Sequence, residues 1–134
     1  MNDPKTSIIV LNWNNWEDTL ECLESLFSMT YPNYSIIVVD NGSNNNSIEK
    51  IKEWAKSKTK TIDLIQTGKN LGYAAGNNLG IRKALADTGV QNILVLNNDI
   101  VVKSDFLSQM MKAFFYNPKC GMVGPKMLNY PSGQ

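Results

Sequence analysis

The sequence predicts an α/β fold: a mostly parallel sheet in three layers, with helices on both faces. Three observations carry this. Short runs of aliphatic and β-branched residues at 7–11, 34–39, 61–66 and 93–96 recur between segments whose apolar residues have helical spacing. The runs at 7–11 and 93–96 are continuously apolar, which marks strands covered on both faces. Each of these runs is followed closely by a cluster of Asn, Asp or Gly, the residue types that turns favour. Strand and helix alternating at this spacing imply parallel strands joined by right-handed crossovers.

The first run is rich in Ile and Val and ends in Asn12, Trp13, Asn14 and Asn15. Asn15 followed by Asp18 resembles a capping box and opens a helix. Trp16, Leu20, Leu23 and Phe27 then share a face, with Cys22 and Leu26 at its margin. Pro32 stops the helix, because proline disfavours helical backbone at the residue before it. The second strand, 34–39, ends in Asp40, Asn41, Gly42 and Ser43. Asn46 and Glu49 form another box-like start, and Ile48, Ile51, Trp54 and Ala55 point inward. Lys56, Lys58 and Lys60 read as a helix end and loop, where cations complement the helix dipole.

The run at 61–66 alternates in polarity, as an edge strand would. Gly72, Gly76 and Gly80 are four apart, which on a helix places them on one face and allows close backbone approach. That helix continues through Ile81, Leu85 and Ala86. The strand at 93–96 runs into Asn97, Asn98 and Asp99 and is expected to be buried on both faces. Ser104 is the expected cap of a last helix, with Phe106, Met110, Ala113 and Phe114 facing in. Asn117 and Pro118 end it, and 120–124 is apolar enough to suggest a fifth strand. One domain spans 1–134.

Composition narrows the function. The chain has 134 residues, 43% hydrophobic, with a formal net charge of +1. That is the composition of one soluble domain with one core. A near-zero charge argues against nucleic acid as a partner. No apolar run approaches the roughly 20 residues that span a bilayer, and no signal-peptide core precedes the first strand, so a cytoplasmic location is expected. The two cysteines, Cys22 and Cys120, are distant in sequence and read as reduced thiols. Histidine is absent, which removes Ser-His-Asp and Cys-His nucleophiles and His-ligated zinc. Acid–base chemistry is left to carboxylates, Lys and Tyr.

A parallel sheet brings the strand ends to one edge, where ligands of open α/β sheets bind. Asn12 and Trp13, Asp40 to Ser43, Asn70 and Gly72, and Asn97 to Asp99 therefore share a rim. Amides can read a base through paired donors and acceptors. One or two carboxylates with Mg²⁺ can hold a diphosphate, and Asp99 is placed to meet such a cation. The same residue types also occur in ordinary Asx turns. Trp13 and Tyr73 read as packing residues. Neither a P-loop nor the glycine turn of a dinucleotide fold is present, since the turn after the first strand is Asn12-Trp13-Asn14-Asn15.

Taken in order, four segments resemble the nucleotide-sugar-binding half of family 2 glycosyltransferases with the A-type fold, a Rossmann-like nucleotide-diphospho-sugar transferase fold. Residues 7–14 are similar to the family's first strand. Residues 38–43, VVDNGS, resemble its second-strand segment. Residues 70–78 resemble its N-x-G-[FY]-[AS]-x-G-N-N segment. Residues 94–99 sit where the family carries its D-x-D-type motif, and Asn-Asn-Asp is similar to the rhamnosyltransferase-like branch.

The resemblance implies a metal-dependent, inverting transfer of a sugar from a UDP- or dTDP-sugar donor to a hydroxyl of a glycan or lipid-linked acceptor, in polysaccharide or cell-surface glycan synthesis. It implies nucleotide contacts from Asn12, Asp40, Asn41, Asn70, Gly72, Asn77 and Asn98, and Mg²⁺ or Mn²⁺ on Asp99. Asn97 stands where the strict motif has Asp, so metal affinity rests on Asp99 alone. The family's general base and acceptor site come from its second half, so the base is expected beyond residue 134. The chain is read as truncated from a longer enzyme at the inner face of the membrane. A nucleotidyltransferase also pairs metal with nucleotide on such a sheet, but its glycine- and arginine-rich loop after the first strand is absent. A flavodoxin- or receiver-like module would need clustered acids there, where this chain has amides.

Overall fold

Strand and helix alternate throughout the residues 3–129 that the computed structural model describes. The elements are β1 (Thr6–Asn12), α1 (Trp16–Phe27), β2 (Tyr34–Asp40), α2 (Ser47–Lys56), β3 (Asp63–Gln66), α3 (Tyr73–Leu85), β4 (Asn92–Asn97) and α4 (Phe106–Tyr116). The strands form one parallel sheet in the order β3-β2-β1-β4. In its register Asn12 lies opposite Asp40, Asp40 opposite Gln66, and Leu11 opposite Asn97. The polar strand ends are therefore in line.

Consecutive residues of β1 and β2 feed opposite faces, as the period of two requires. Ile8, Val10, Ile36 and Val38 pack with Cys22, Leu23 and Leu26 of α1, Ile51 of α2, and Leu107, Met110 and Met111 of α4. Ile9, Ile37 and Val39 pack on the other face with Ala84 and Ile81 of α3. Three helices cover one face and α3 the other. Full burial of each large aliphatic side chain contributes about 1.5–3 kcal/mol, so β1 and β2 anchor the fold. Gly80 lets α3 come down onto the sheet: a Cβ there would sit 2.5 Å from the Ile9 side chain.

The structure departs from the sequence reading in five places. β4 is not buried on both faces. It is the sheet's edge, and Val95 is 40% exposed. Residues 120–124 form no strand; Met122 projects into solvent and Val123 packs against the core. A strand needs a ladder partner, and none lies beside them among the described residues. The buried stripe of α1 is Thr19, Cys22, Leu23 and Leu26, while Trp16, Leu20 and Phe27 are half-buried at its edge. Asp105, not Ser104, is the N-cap of α4, and Leu107 and Met111 rather than Ala113 complete its inner face. Asn15 and Asn46 do sit at N-cap positions, but neither side chain caps. The Asn15 amide donates instead to Asp18 Oδ2 at 2.7 Å.

Candidate functional site

The carboxyl ends of the strands carry a connected set of polar side chains. β1 delivers Asn12 and β2 delivers Asp40, both with no exposed surface. Asn12 Nδ2 donates to Asp40 Oδ2 at 2.8 Å. Ser43 closes the other side of that carboxylate, its backbone N–H donating to Oδ1 at 3.0 Å and its hydroxyl to Oδ2 at 2.6 Å. A buried carboxylate is tolerable only when donors meet its charge, and these three do so. In this conformation Asp40 has no edge open to a base.

Asn14 laces the two neighbouring loops together. Its backbone lies in the left-handed region, φ 54°, which Asn tolerates better than most residues. That places its N–H on Ser43 Oγ at 2.8 Å and its Oδ1 on the Asn44 N–H at 2.8 Å. Asn41, also buried, reaches the next loop. Its amide donates to Asn70 Oδ1 at 3.2 Å and to the Gly72 carbonyl at 3.3 Å, and its Oδ1 accepts from the Leu71 N–H at 3.1 Å. Asn70 itself accepts from the Gly72 N–H at 2.8 Å. Gly72, at φ +83°, then turns the chain into α3. The first turn of α3 has no side-chain cap and no acid, so its N–H groups keep their affinity for anions.

α3 and β4 complete the rim. Tyr73 O–H donates to Asn97 Oδ1 at 2.9 Å. Asn77 is buried; its amide donates to the Tyr73 carbonyl at 3.0 Å, and its Oδ1 has no partner among the described residues. Asn98 donates to the Asn15 carbonyl at 3.2 Å and to Thr19 Oγ1 at 3.0 Å. Asp99 is exposed and makes no hydrogen bond or ion pair among the described residues. Its charge is felt at Cys22, whose thiol is pushed up to about 12 by burial first and by Asp99 second. Trp13 and Tyr73 are 54% and 59% exposed. They stand over the rim rather than packing inside, which corrects the sequence reading.

Two open clefts of about 340 and 350 Å³ lie elsewhere, at the amino ends of the strands. Their cations are engaged: Lys60 with Tyr34, Lys5 with Asp87 and Lys83 with Asp63. Shape alone would favour these clefts. The rim is the better candidate, because the unpaired Asp99 carboxylate and the uncapped first turn of α3 both lie, among the described residues, at the edge where such sheets bind ligands. No group of three or more His, Cys, Asp or Glu side chains converges among the described residues. Asp99 alone therefore suits a cation that takes its remaining ligands from phosphate and water, as Mg²⁺ does.

Comparison with known proteins decides the family. The model of glycosyl transferase family 2 matches residues 7–130, nearly the whole chain. The chain belongs to glycosyltransferase family 2. A low-salt glycan biosynthesis hexosyltransferase, Agl10, of Haloferax volcanii is 28% identical over 123 residues, covering 92% of this chain and 36% of that protein. A poly-β-1,6-N-acetyl-D-glucosamine synthase of Staphylococcus epidermidis is 32% identical over 129 residues, covering 94% and 30%. The chain thus spans about a third of the length of these relatives.

The fold agrees. The mannosyltransferase PcManGT of Pyrobaculum calidifontis, solved with GDP-Man and Mn²⁺, superposes with a TM-score of 0.74 at 20% identity, over 86% of this chain and 33% of that one. S. aureus TarS 1–349 with UDP-GlcNAc gives 0.68 at 20%, over 84% and 31%. These are A-type glycosyltransferase folds, as the sequence predicts. In this family 2 chain the sequence reading missed Thr19, which is fully buried and bonded to Asn12. The only signal was a hydroxyl residue on the inner stripe of α1, one turn before Cys22.

Proposed function

We propose that the chain is the donor-binding part of a metal-dependent, inverting glycosyltransferase. The donor is a UDP- or dTDP-sugar carrying a hexosyl or rhamnosyl group, and the acceptor is a hydroxyl of a glycan or lipid-linked saccharide. The observation that carries this reading is Asp99: an exposed, unpaired carboxylate at the carboxyl end of β4, beside a rim of amides.

Each part of the rim has a task. Asn70 and Gly72 line the base and ribose, with Asn41 holding their loop in place. Asn12 and Asp40 shape the floor of that pocket from below. Asn77 offers its unpartnered Oδ1 to the donor side, and Asn98 borders the diphosphate. Asp99, with Asn98 beside it, holds Mg²⁺ or Mn²⁺. When bound, the cation neutralises the charge that develops on the departing nucleoside diphosphate. An inverting transfer also needs a carboxylate to take the acceptor's proton. Asp105 sits at the N-cap of α4 and accepts from Gln109 at 3.1 Å, which suits a helix-start role, and the reading takes the base from outside these 134 residues.

Titration with UDP, dTDP and GDP, with and without Mn²⁺, tests the assignment. Binding that requires Mn²⁺ and is lost in Asp99→Ala supports it. Affinity that is indifferent to that substitution refutes it.

A further inference from the structure

Four hydrogen-bonding groups run in series beneath the rim, from the end of β4 to the end of β2. Asn98 Nδ2 donates to Thr19 Oγ1 at 3.0 Å. Thr19 Oγ1 lies 2.8 Å from Asn12 Oδ1 and 2.8 Å from the Asn15 carbonyl. Asn12 Nδ2 donates to Asp40 Oδ2 at 2.8 Å. A hydroxyl has one proton to give. The Asn15 carbonyl already receives the Thr19 N–H at 3.3 Å and Asn98 Nδ2 at 3.2 Å, which fills its two lone pairs. Asn12 Oδ1 is buried and has no other donor among the described residues. The Thr19 proton therefore belongs to Asn12. Every donor in the series then points toward the Asp40 carboxylate, and successive bonds in such a chain polarise one another.

Thr19 is also the first of three contacts from one face of α1 to the segment that carries Asp99. Cys22, three residues on, directs its S–H to the Asn97 carbonyl at 3.8 Å. Ser25, three further, accepts the Val102 N–H on its Oγ at 3.1 Å. Residues spaced by three share a helix face. α1 thus grips 97–102 at both ends, and Thr19 alone of the three also hydrogen-bonds a side chain of β1 and, through it, β2.

We propose that Thr19 is the positioning residue of the site: its hydroxyl fixes Asn98 and Asp99 relative to the ends of β1 and β2, and so sets where the Asp99 carboxylate meets a pyrophosphate-bound cation. Thr19 touches neither nucleotide nor metal; it acts through Asn98. The metal half of this assignment rests on the donor-binding reading above. Valine matches threonine in shape and lacks the hydroxyl, whereas serine keeps it.

The test measures two properties of the chain. Amide hydrogen exchange at 97–99 reports the turn, and calorimetric titration with UDP in Mn²⁺ reports the site. In Thr19→Val, exchange at 97–99 accelerates and UDP affinity falls about tenfold, the effect of one good hydrogen bond, while the Mn²⁺ requirement persists. Thr19→Ser restores both. On an Asn98→Ala background Thr19→Val lowers affinity by less than it does alone, because its bond to Asn98 is already gone and only its bond to Asn12 is left to lose. Should Thr19→Val fail to fold, Asn98→Ala removes the same bond, together with that to the Asn15 carbonyl, from its partly exposed end and is compared with Thr19→Ser instead. Unchanged exchange at 97–99 in the variant lacking the bond would overturn the role of Thr19, whatever the ligand does. No Mn²⁺-dependent binding of UDP, dTDP or GDP by the wild-type chain would instead overturn the donor reading, and with it the metal half of the proposal.

Discussion

Gly42 is where the loop after β2 meets the loop before α3, and replacing it with alanine tests how tightly they are joined. Its φ is +76°, in the left-handed region. A side chain held there costs about 1–2 kcal/mol. A Cβ at 42 would also lie 2.3 Å from the Lys69 carbonyl carbon, 2.4 Å from Lys69 Cα and 2.6 Å from the Asn70 nitrogen. These are backbone atoms, so no rotamer change relieves the contact. Carbon atoms pack comfortably at about 3.5–4.0 Å, so the Lys69 backbone must retreat by more than an ångström. Overpacking of this kind costs about 1–3 kcal/mol or more. Together the two effects come to about 2–5 kcal/mol, a large share of the roughly 5–15 kcal/mol that holds a domain folded. At ~3–5 °C per kcal/mol for a chain of this size, the midpoint of thermal unfolding falls by ~6–25 °C.

Gly68 supplies the control. Its φ is +74°, yet nothing lies within 4 Å of where its Cβ would be. Gly68→Ala therefore carries only the backbone cost, and its midpoint falls by ~3–10 °C. Far-UV circular dichroism melts of the two variants and the wild type in one buffer make the comparison. Midpoints for Gly42→Ala and Gly68→Ala within ~2 °C of each other would mean that the 69–70 backbone does not rest on Gly42, and the account of the rim as two braced loops would fail.

Two further outcomes follow from the buried groups of the rim. Asp40→Ala strips the acceptor from three donors and leaves the Ser43 N–H without its partner, so stability drops by about 2–4 kcal/mol. Nucleotide affinity weakens while the metal requirement is retained; calorimetric titration that finds equal affinity in wild type and variant would remove Asp40 from the site. Cys22, held near 12, stays unmodified by iodoacetamide in the native chain at pH 8, because the thiolate is the nucleophile. Its raised value has a defined sign. The unfolded thiol ionises near 9.0, so the stabilisation is complete below that pH and is lost as pH rises through the folded value. Denaturant melts from pH 8 to pH 11 should show the stability gap between wild type and Cys22→Ala shrinking; a constant gap would contradict this.

The layers of the fold were legible because β1 and β2 are apolar on both faces, and they prove to be central strands. β4 has the same kind of apolar run, yet it is an edge. Periodicity reports what a strand can bury, not which neighbour arrives to bury it, and Val95 is left half-open for that reason. The inner face of α1 was offset for a related cause. Counting apolar residues passes over Thr19 and Ser25, whose place on that face is set by bonds to 97–102 rather than by hydrophobicity. The fifth strand failed because Gly121 and Gly124 flank too little apolar surface to dock without a partner. At the site, parallel topology alone was enough to line up Asn12, Asp40, Asn70 and Asp99. What spacing could not show is that Asn12 and Asp40 spend their donors and acceptors on each other and on Ser43 and Thr19.

That last point separates the two acids of the rim by environment rather than by residue type. Asp40 is buried because three donors surround it; without them the desolvation of its charge would outweigh any packing gain. Its oxygens are committed to the chain, so its part is to fix geometry. Among the described residues Asp99 receives no hydrogen bond and its charge is uncompensated, and it stays in solvent. The uncapped first turn of α3, which carries no acid, is the complementary feature of the same rim. Asn97 strengthens the distinction. Its Oδ1 accepts from Tyr73, so the residue standing at the first acidic position of the motif is engaged in joining β4 to α3, and Asp99 is the one acid of the Asn97–Asp99 turn.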